Sequence, residues 1–512
     1  MILKKIAKLL FNRVFYVIFA MAVQLGWLLT IFLRLAGYSR YMSFILDVIS
    51  ILVVLKIVNR KINPSYKLAW TMLILCLPIF GLVLYLVFGS SRIAAYMQDR
   101  FNEMLMKSGN LLQTDPEIHD LLEAEDISAC NQSDYIYHNA GYPIHGNTTA
   151  EYFQVGDDMF PVLVRELEQA QHYIFIEYFI IHDGVMWRTI LDILERKVQE
   201  GVDVRLIYDD MGCLTTLPHK YYETMRSKGI KCQVFNPFRP LLNIIQNNRD
   251  HRKFCIIDGY VGFTGGVNLA DEYINQKQRF GHWKDTGLRL YGEGVYSLTL
   301  MCLELWNAFY NTNDNCKKYL PHRYHPEPFP TDGYVQPYCN SPFENETLAQ
   351  DIYLDLLYQA KEYVYIFTPY LAIDDEMQHA LCMAAQRGVD VRLVTPGIPD
   401  KRVVYSLTRS YYEPLIRAGV RIYEYTPGFI HAKSYLVDDR IGIVGTINMD
   451  YRSLYLHMEC AAMLVECSAL QKMKLDCVVT IEKSRRVTLQ DCKRRRHSLL
   501  WQAILRTISP LL

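Results

Sequence analysis

The sequence predicts an α/β protein made of two copies of one domain, preceded by membrane helices. Short β-type runs alternate with helical stretches from about residue 130 to 480, and the pattern around residues 170–208 recurs around 360–395. Such alternation is typical of a sheet with parallel strands and helices on its faces. A repeat this long indicates a duplicated domain, because solenoid repeats span only about 20–50 residues.

The composition excludes several classes of protein. Of 512 residues, 51% are hydrophobic and 21% charged, and 54 Lys and Arg balance 54 Asp and Glu. These values exclude a disordered chain, and no basic excess exists to bind nucleic acid, which is therefore not an expected partner. The 13 cysteines include no CxxC pair, which argues against a disulfide framework and against a zinc site. A reduced, cytosol-facing catalytic part is mildly favoured.

Apolar residues concentrate in three stretches near the N-terminus, at residues 14–33, 44–58 and 68–88. The first and third carry no charge and are 20 and 21 residues long. As helices they would cross the hydrocarbon core of a membrane. The middle stretch carries one acidic and one basic residue, so it either spans or lies in the interface. We expect residues 1–92 to form a multi-pass region in the cell membrane.

The basic residues near these stretches do not agree on one orientation. Four of them within the first 13 positions favour a cytoplasmic N-terminus, and Arg60, Lys61 and Lys67 favour a cytoplasmic second loop. Three spans would then place the C-terminal bulk outside. Two spans would keep it inside but leave several positive charges in an external loop. We expect a cytoplasmic-facing catalytic part, which the charges alone do not decide.

The rest of the chain divides by composition into five parts. They are a linker at 93–129, a first domain at 130–318, a Pro-rich and aromatic-rich linker at 319–342, a second domain at 343–482 and a basic, amphipathic tail at 483–512. Two interpretations of the tail stand: a solvated terminal helix, or an anchor to an anionic lipid surface.

A histidine–lysine pattern occurs once in each copy. The residues are His251, Lys253, Asp258, Gly266 and Asn268 in the first copy, and His431, Lys433, Asp438, Thr446 and Asn448 in the second, with a constant offset of 180. Residues i and i+2 of a strand share a face, so each His and its Lys should point the same way. Two facing copies would surround one phosphate with imidazoles, ammonium groups and amides, without a metal.

Two imidazoles can divide a phosphoryl transfer between them. One attacks phosphorus and forms a phosphohistidine, and the other protonates the leaving oxygen and later deprotonates the incoming alcohol. An attacking imidazole needs an acceptor at its second nitrogen. The strands that follow the two motifs offer Asp285 and Glu459. Alignment of the copies predicts that Asp285 orients His251 and that Glu459 orients His431.

The other motif residues are expected to support this chemistry. Gly266 allows close approach of the backbone, and Asn268 and Asn448 add side-chain donors for the phosphate. Asp258 and Asp438 belong to the motif, but we expect them to anchor turns by accepting hydrogen bonds.

Two further carboxylate features have a structural and a functional interpretation. The pair Asp209–Asp210 follows a strand and suggests either a metal site or, more in keeping with the absence of other ligands nearby, the capping of a loop. Glu177 lies inside an apolar strand, where a carboxylate needs a partner. It either pairs with a basic residue in the core or points toward the active site.

The paired motifs resemble the HKD motifs of the phospholipase D superfamily. Residues 63–89, 263–268, 444–450 and 509–512 resemble segments of bacterial cardiolipin synthases, so the resemblance covers nearly the whole chain after about residue 44. It implies two phospholipase D-like α/β/α domains with paired motifs. It also implies a membrane enzyme, needing no cofactor, that joins two phosphatidylglycerols into cardiolipin and releases glycerol. In this family pattern His251 is the nucleophile and His431 the acid and base.

One position departs from the family pattern. Cardiolipin synthases usually carry Asn where this chain has His457, two residues before Glu459. His457 is either a bystander or a neighbour of the second motif, where it would change the pKa of His431 or the choice of acceptor.

Other functions stay open at this level. The same machinery hydrolyses lipid if water replaces the second alcohol, or uses another alcohol as acceptor. A non-catalytic membrane scaffold is disfavoured, because His, Lys and Asn are intact in both copies.

Overall fold

The computed structural model of the protein describes residues 22–23, 25–27, 29–30, 40–60, 62–88, 103, 111–237, 248–310, 312, 314–342, 347–494 and 499–511. The apolar stretch 14–33 lies mostly outside these residues. Three helices follow it: α1 (Arg40–Val58), α2 (Pro64–Cys76) and α3 (Pro78–Phe88). The side chain of Asn63 caps α2 by accepting from the backbone N–H of Ser65 at 2.9 Å.

The stretch 68–88 is a helical hairpin, so the prediction of one continuous helix is wrong. The chain turns at Leu77 (φ −135°, ψ 72°), because the following Pro78 disfavours helical geometry in the residue before it. Pro78 then occupies the start of α3, where its missing N–H costs nothing. In α3, Gly81 lies against the backbone of Leu73 and leaves no room for a side chain. In the described part of the chain, no helix combines the length and apolar character that a membrane crossing requires.

Two helices lie where the sequence predicts a linker and the start of the first domain. They are α4 (Pro116–Glu125) and α5 (Ile127–Ala140), and Asp126 between them caps α5 through hydrogen bonds at 3.1 Å. The side chain of Gln132 on α5 donates to the carbonyl oxygen of Ile352 at 3.1 Å. The region is therefore packed against the second copy.

The first copy of the repeat forms a seven-stranded sheet with strand order β1-β9-β7-β6-β2-β3-β4. Its elements, with the short strands β5 and β8 that lie outside the sheet, are β1 (Thr148–Phe153), α6 (Gly156–Gln169), β2 (Tyr173–Tyr178), α7 (Val185–Gln199), β3 (Asp203–Asp209), α8 (Tyr221–Ser227), β4 (Lys231–Phe235), β5 (Arg249–Asp250), β6 (Lys253–Ile257), β7 (Val261–Gly265), β8 (His282–Lys284), β9 (Gly287–Gly292) and α9 (Val295–Tyr310).

The second copy repeats this order as β10-β19-β17-β16-β11-β13-β14 and adds β20 at the far edge. Its elements are β10 (Tyr334–Asn340), α10 (Leu348–Gln359), β11 (Tyr363–Phe367), β12 (Leu371–Ala372), α11 (Asp375–Gln386), β13 (Asp390–Pro396), α12 (Arg402–Ser410), α13 (Tyr412–Ala418), β14 (Arg421–Tyr425), β15 (Gly428–Ile430), β16 (Ser434–Val437), β17 (Ile441–Gly445), β18 (Met449–Asp450), α14 (Tyr451–Tyr455), β19 (His457–Val465), α15 (Ala469–Glu482), β20 (Ser484–Arg486), α16 (Leu489–Arg494) and α17 (Leu499–Ile508). The equivalent order confirms the duplicated α/β fold.

The sheets are mixed, so the expectation of parallel strands holds for only part of each. In the first copy β2, β3 and β4 are parallel, and a helix connects each to the next. The strands β6, β7 and β9 pair antiparallel, because β6 and β7 form a hairpin that reverses the chain direction. The second copy has the same division.

The predicted linker 319–342 contains a strand of the second sheet. Strand β10 pairs antiparallel with β19 over seven residues and is buried along its whole length. The Pro and aromatic content suggested a linker, but the proline at 337 lies in the outermost strand, where a sheet tolerates it. The predicted domain limits 130–318 and 343–482 stay a prediction.

The C-terminal tail packs on the second copy. Strand β20 pairs with β14, and in α17 Leu505 is buried and Arg506 donates to Ser410 Oγ at 3.2 Å. Trp501 and Ile504 of the same helix are exposed. The tail therefore has one face on the protein and another that is apolar and open.

Candidate active site

The two motif histidines lie in loops directly before equivalent strands. Lys253 begins β6, and Lys433 comes one residue before β16. The histidines therefore precede the strands in which the sequence placed them. His251 and His431 are each 7% exposed. Lys433 and His431 of the second motif lie close enough to His251 to lower its pKa. The structure thus brings both motifs together in one buried site.

Short strand pairs join each motif to the other copy. Strand β5, just before His251, runs parallel to the start of β19 and pairs Arg249 with His457. Strand β15, just before His431, runs parallel to β8 and pairs Phe429 with Trp283. Each histidine is therefore held beside a strand of the opposite copy.

Each motif histidine contacts a carboxylate that belongs to the other copy. Nδ1 of His251 lies 2.9 Å from both carboxylate oxygens of Glu459, and Nδ1 of His431 lies 2.6 Å from Oδ2 of Asp285. The prediction that both residues contact a histidine is right, but the predicted pairing within each copy is wrong. The alignment compared the copies one with the other and could not show that β5 and β15 cross between them.

Gly266 and Thr446 occupy equivalent positions but treat the neighbouring carboxylate differently. A Cβ atom at position 266 would collide with Oδ1 of Asp285, so glycine leaves the room that the carboxylate uses. The Thr446 hydroxyl donates to Oε2 of Glu459 and accepts from the backbone N–H of Cys460 at 3.0 Å. Both residues therefore support the carboxylates rather than offering a ligand of their own.

Both lysines are buried beside the histidines. Nζ of Lys253 donates to the carbonyl oxygen of His251 at 2.6 Å, and Nζ of Lys433 lies 3.1 Å from Nε2 of His431. Burial lowers the pKa of Lys253 to about 8 and that of Lys433 to about 7. Two ammonium groups so far from water favour an anionic ligand between them.

The two histidine–carboxylate pairs differ in electrostatics. Burial raises the pKa of Glu459 to about 8, although Lys253 opposes this effect. Burial also raises the pKa of Asp285, but His431 and Lys433 outweigh it and hold that pKa below its usual value. Burial and Lys253 lower the pKa of His251 well below its usual value, and burial lowers that of His431 to about 4.

Ser453 is a site residue that the sequence analysis missed. Its hydroxyl donates to Oε1 of Glu459 and accepts from the backbone N–H of Asn448 at 3.0 Å. The backbone N–H of Ser453 donates to Oδ1 of Asp450, the residue that caps the start of α14. Asp450 is a residue type typical of the N-cap of a helix, but no local pattern points to the serine that follows it.

The two motif asparagines are not equivalent. Asn268 holds the protein together, accepting from the N–H of Ile180 at 3.0 Å and donating to the Tyr273 hydroxyl at 2.7 Å. Among the described residues, Oδ1 of Asn448 is buried without a hydrogen-bond partner. A phosphate-binding role for either residue stays a prediction.

His457 lies beside the first motif, not the second. Its ring centre is 5.5 Å from that of His251, and its Nδ1 is 3.7 Å from Oε1 of Glu459. Within the described structure both ring nitrogens are buried without a hydrogen-bond partner. Burial, with Arg452 and Lys253, lowers its pKa well below the usual value, so the imidazole is neutral.

The two other carboxylate features are structural. Glu177 forms a fully buried ion pair with Arg252, Nη2 to Oε1 2.7 Å, within the core. Oδ1 of Asp209 accepts from the backbone N–H groups of Met211 and Gly212 at 2.8 and 3.0 Å. These bonds support the loop-capping interpretation of the Asp209–Asp210 pair.

Asp258 and Asp438 lie at the far ends of their strands and anchor turns, as expected. Asp258 accepts from three consecutive backbone N–H groups, at residues 171–173, over 2.7–2.8 Å. Asp438 binds residues 361–363 in the same way. Neither has a hydrogen bond to a motif histidine or lysine in the described structure, so their place among the catalytic residues reflects the motif pattern and not the geometry.

We expect Asp258→Ala to lower the free energy of unfolding by about 2–4 kcal/mol, because it leaves one buried and two partly buried backbone donors without a charged acceptor. Asp258→Asn should cost less, because its amide oxygen still accepts and Asn tolerates the left-handed φ of 50° found here. The measurement is thermal unfolding of both variants in detergent. A large fall in kcat of the folded Ala variant, with unchanged stability, would contradict this assignment.

The comparison with known proteins agrees with this geometry. The family model "Cardiolipin synthase, PLD-like domain" matches residues 163–279 and 353–475, and the model "Phospholipase_D-nuclease N-terminal" matches 45–90. A cardiolipin synthase of Alkalihalophilus pseudofirmus is 33% identical over 480 residues, covering 92% of this chain and 93% of that protein. The chain belongs to the cardiolipin synthase family. It is an enzyme, a phosphatidyltransferase of the phospholipase D type.

Two further proteins are similar to this chain, one in sequence and one in fold. An uncharacterized protein of Streptococcus mutans is 43% identical over 90% of this chain and 99% of its own length. The crystal structure of a phosphatidylserine synthase from Haemophilus influenzae covers 74% of this chain and 98% of its own, with a TM-score of 0.53 and 14% identity. This last likeness supports the fold alone.

Proposed function

We propose that this enzyme joins two phosphatidylglycerol molecules into cardiolipin and releases glycerol. The observation that carries the proposal is the pair of buried imidazoles, each held at Nδ1 by its own carboxylate, with a buried lysine beside each. A phosphodiester between them meets a nucleophile on one side and a proton donor on the other. The relative from Alkalihalophilus pseudofirmus is named a cardiolipin synthase, which supports this choice of lipid.

His251 is the proposed nucleophile. Its pKa is held well below the usual value, so the imidazole is neutral and Nε2 keeps the lone pair that attacks phosphorus. The new N–P bond replaces the bond from phosphorus to the glycerol oxygen. Glu459 at Nδ1 fixes the ring, and the positive charge that develops on the ring favours the ionised form of this carboxyl, which then compensates that charge.

His431 is the proposed acid and base. It contacts a carboxylate with a lowered pKa, and an ionised Asp285 stabilises the imidazolium. Burial keeps His431 neutral in the free enzyme, with a pKa of about 4, and a bound phosphodiester adds a second negative charge that favours its protonated form. His431 gives its proton to the departing glycerol, then takes the hydroxyl proton of the second phosphatidylglycerol as that oxygen displaces Nε2 of His251.

Lys253 and Lys433 are proposed to neutralise the phosphoryl oxygens. Both are about 99% buried, so their charges act across a medium of low dielectric, where they count for more than in water. The same burial favours transfer over hydrolysis. Asp285 and Glu459 have no exposed surface, so the histidine Nδ1 atoms lie away from bulk water.

We further propose that the N-terminal helices and α17 contact the cell membrane, an anionic lipid surface. Their exposed apolar residues include Phe44, Ile45, Leu52, Leu55, Leu68, Met72, Leu75, Trp501 and Ile504. Asn63, at the start of α2, donates to the hydroxyl of Tyr455 on α14, the helix that also carries Ser453. The proposed lipid contact is therefore close to the site. The multi-pass arrangement and the cytoplasmic-facing site rest on residues 14–33 and on the flanking basic residues.

The test is an assay of the purified full-length enzyme in phosphatidylglycerol vesicles without added divalent metal, with lipid products and free glycerol followed together. We expect cardiolipin and glycerol in equal amounts. Phosphatidic acid with glycerol would instead establish a hydrolase. A different phospholipid, formed only when another alcohol is supplied, would move the acceptor from phosphatidylglycerol to that alcohol.

A further inference from the structure

A second cluster of chemically active side chains lies far from the motifs in sequence, on the helical pair α4 and α5. Nε2 of His119 on α4 lies 3.5 Å from Sγ of Cys130 and 3.2 Å from Oδ2 of Asp134, both on α5. Cys130 and Asp134 are one helical turn apart, so their side chains lie on the same face. All three ligand atoms lie within 4.8 Å of one another.

The two distances from His119 Nε2 match edges of a tetrahedral zinc site. Zinc binds thiolate at about 2.3 Å, imidazole at about 2.0–2.1 Å and carboxylate at about 2.0–2.2 Å. A tetrahedral ion with those bonds places neighbouring ligand atoms about 3.3–3.6 Å apart. The nitrogen–sulfur and nitrogen–oxygen distances need only slight adjustment to receive the ion.

The surroundings of the cluster favour a cation. Four acidic side chains lie near enough to Cys130 to act on it: Asp134, Glu123, Asp120 and Asp126. The carboxylate of Asp120 also lies 3.6 Å from Nδ1 of His119, the place where an outer carboxylate commonly supports a metal-bound imidazole.

A second group of possible metal ligands lies in the active site, but its surroundings are basic rather than acidic. His251, His457 and Glu459 are close enough together to hold an ion. Four basic residues, however, act on His457: Arg452, Lys253, Arg249 and Lys401. A divalent cation is disfavoured there and an anion is favoured.

We propose that His119, Cys130 and Asp134 bind a Zn²⁺ ion. The side chains of His119 and Asp134 are 31% and 36% exposed, so solvent reaches the cluster and water can complete the coordination. The sequence analysis expected no zinc site, because it looked for paired cysteines. This ligand set uses one cysteine, and its histidine comes from the preceding helix.

The ion has a clear structural consequence. Within the described helix α4, Leu122 is the one buried residue, and Ile118 packs partly buried against the core. Helix α5, by contrast, is fixed to the second copy, where Tyr135 donates to Asp351 at 2.7 Å. An ion shared by the two helices ties α4 to this firmly packed element and stabilises the folded state.

The test uses the full-length enzyme in detergent, stripped with EDTA and then given Zn²⁺ or Co²⁺. We expect about one Zn²⁺ per chain after gel filtration, a higher thermal midpoint with Zn²⁺, and a thiolate-to-cobalt charge-transfer band with Co²⁺. Cys130→Ser should abolish that band. His119→Gln, a change at a partly exposed position, should weaken Zn²⁺ binding by about 100-fold.

His138→Gln is the matched control, since His138 lies one turn beyond Asp134 and its Nδ1 contacts the backbone oxygen of that residue. It should bind Zn²⁺ like the unmodified enzyme. Absence of Zn²⁺ binding, or cobalt binding without the thiolate band, overturns the proposal. Equal Zn²⁺ binding by Cys130→Ser and His119→Gln also overturns it and places the ion elsewhere, with His457→Asn as the next variant to compare.

Discussion

His431→Ala is expected to lower turnover by about 10³-fold and to leave a phosphatidyl group on His251, because the covalent intermediate loses the base that activates the second alcohol. His251→Ala should lose turnover by about 10⁴-fold or more and form no covalent intermediate, because the nucleophile is absent. The N–P bond of a phosphohistidine hydrolyses in acid, so the reaction cannot be stopped with acid. We would instead stop it at alkaline pH, measure the labelled protein and locate the label by peptide mass spectrometry.

Both variants need the thermal midpoint of the unmodified enzyme for this comparison to hold. A label on His431 in His251→Ala would reverse the assigned roles. Turnover within tenfold of the unmodified enzyme in either variant would contradict the two-histidine mechanism altogether.

The crossed carboxylates give the second large effect. Asp285→Asn should lower kcat by about 10³–10⁴-fold and accumulate the covalent intermediate, as His431→Ala does, because Asp285 contacts His431. Glu459→Gln should lower kcat to a similar extent but form little intermediate, as His251→Ala does. The measurement is the amount of labelled enzyme in each variant at equal lipid concentration.

Pairing within each copy predicts the opposite labels, with intermediate in Glu459→Gln and none in Asp285→Asn. The two variants therefore distinguish the crossed arrangement from the one that the sequence alignment suggests. Asp183→Asn is a suitable control. The Asp183 carboxylate is exposed, and in the described structure its ion pair is with Arg188.

Much of the fold follows from local signals in the sequence. The offset of 180 between the motifs fixes the duplication, and the runs at 173–178 and 203–209 are strands in the structure. The hairpin at Leu77 was also within reach, because a proline inside an apolar run ends the preceding helix. The continuous apolar character of residues 68–88 instead favoured the prediction of a single helix.

The arrangement of the site depends on contacts that no local pattern carries. Strands β5 and β8 have two and three residues and pair with strands 208 and 146 positions away. Segments so short have no periodicity of their own, and their pairing is decided by how the two sheets pack. Burial, which sets the pKa values of the lysines and of Glu459, becomes visible only at the same stage.

The different partners of the two carboxylates constrain how such a chain can diverge. An aspartate fits beside Gly266, whereas the longer glutamate is met by the Thr446 hydroxyl. A substitution beside the carboxylate of one copy therefore changes the surroundings of the histidine in the other copy. Changes at 266 and 285, or at 446 and 459, are tolerated as matched sets within one copy. Each set must also suit the histidine of the other copy, so compensating mutations should arise across the duplication boundary.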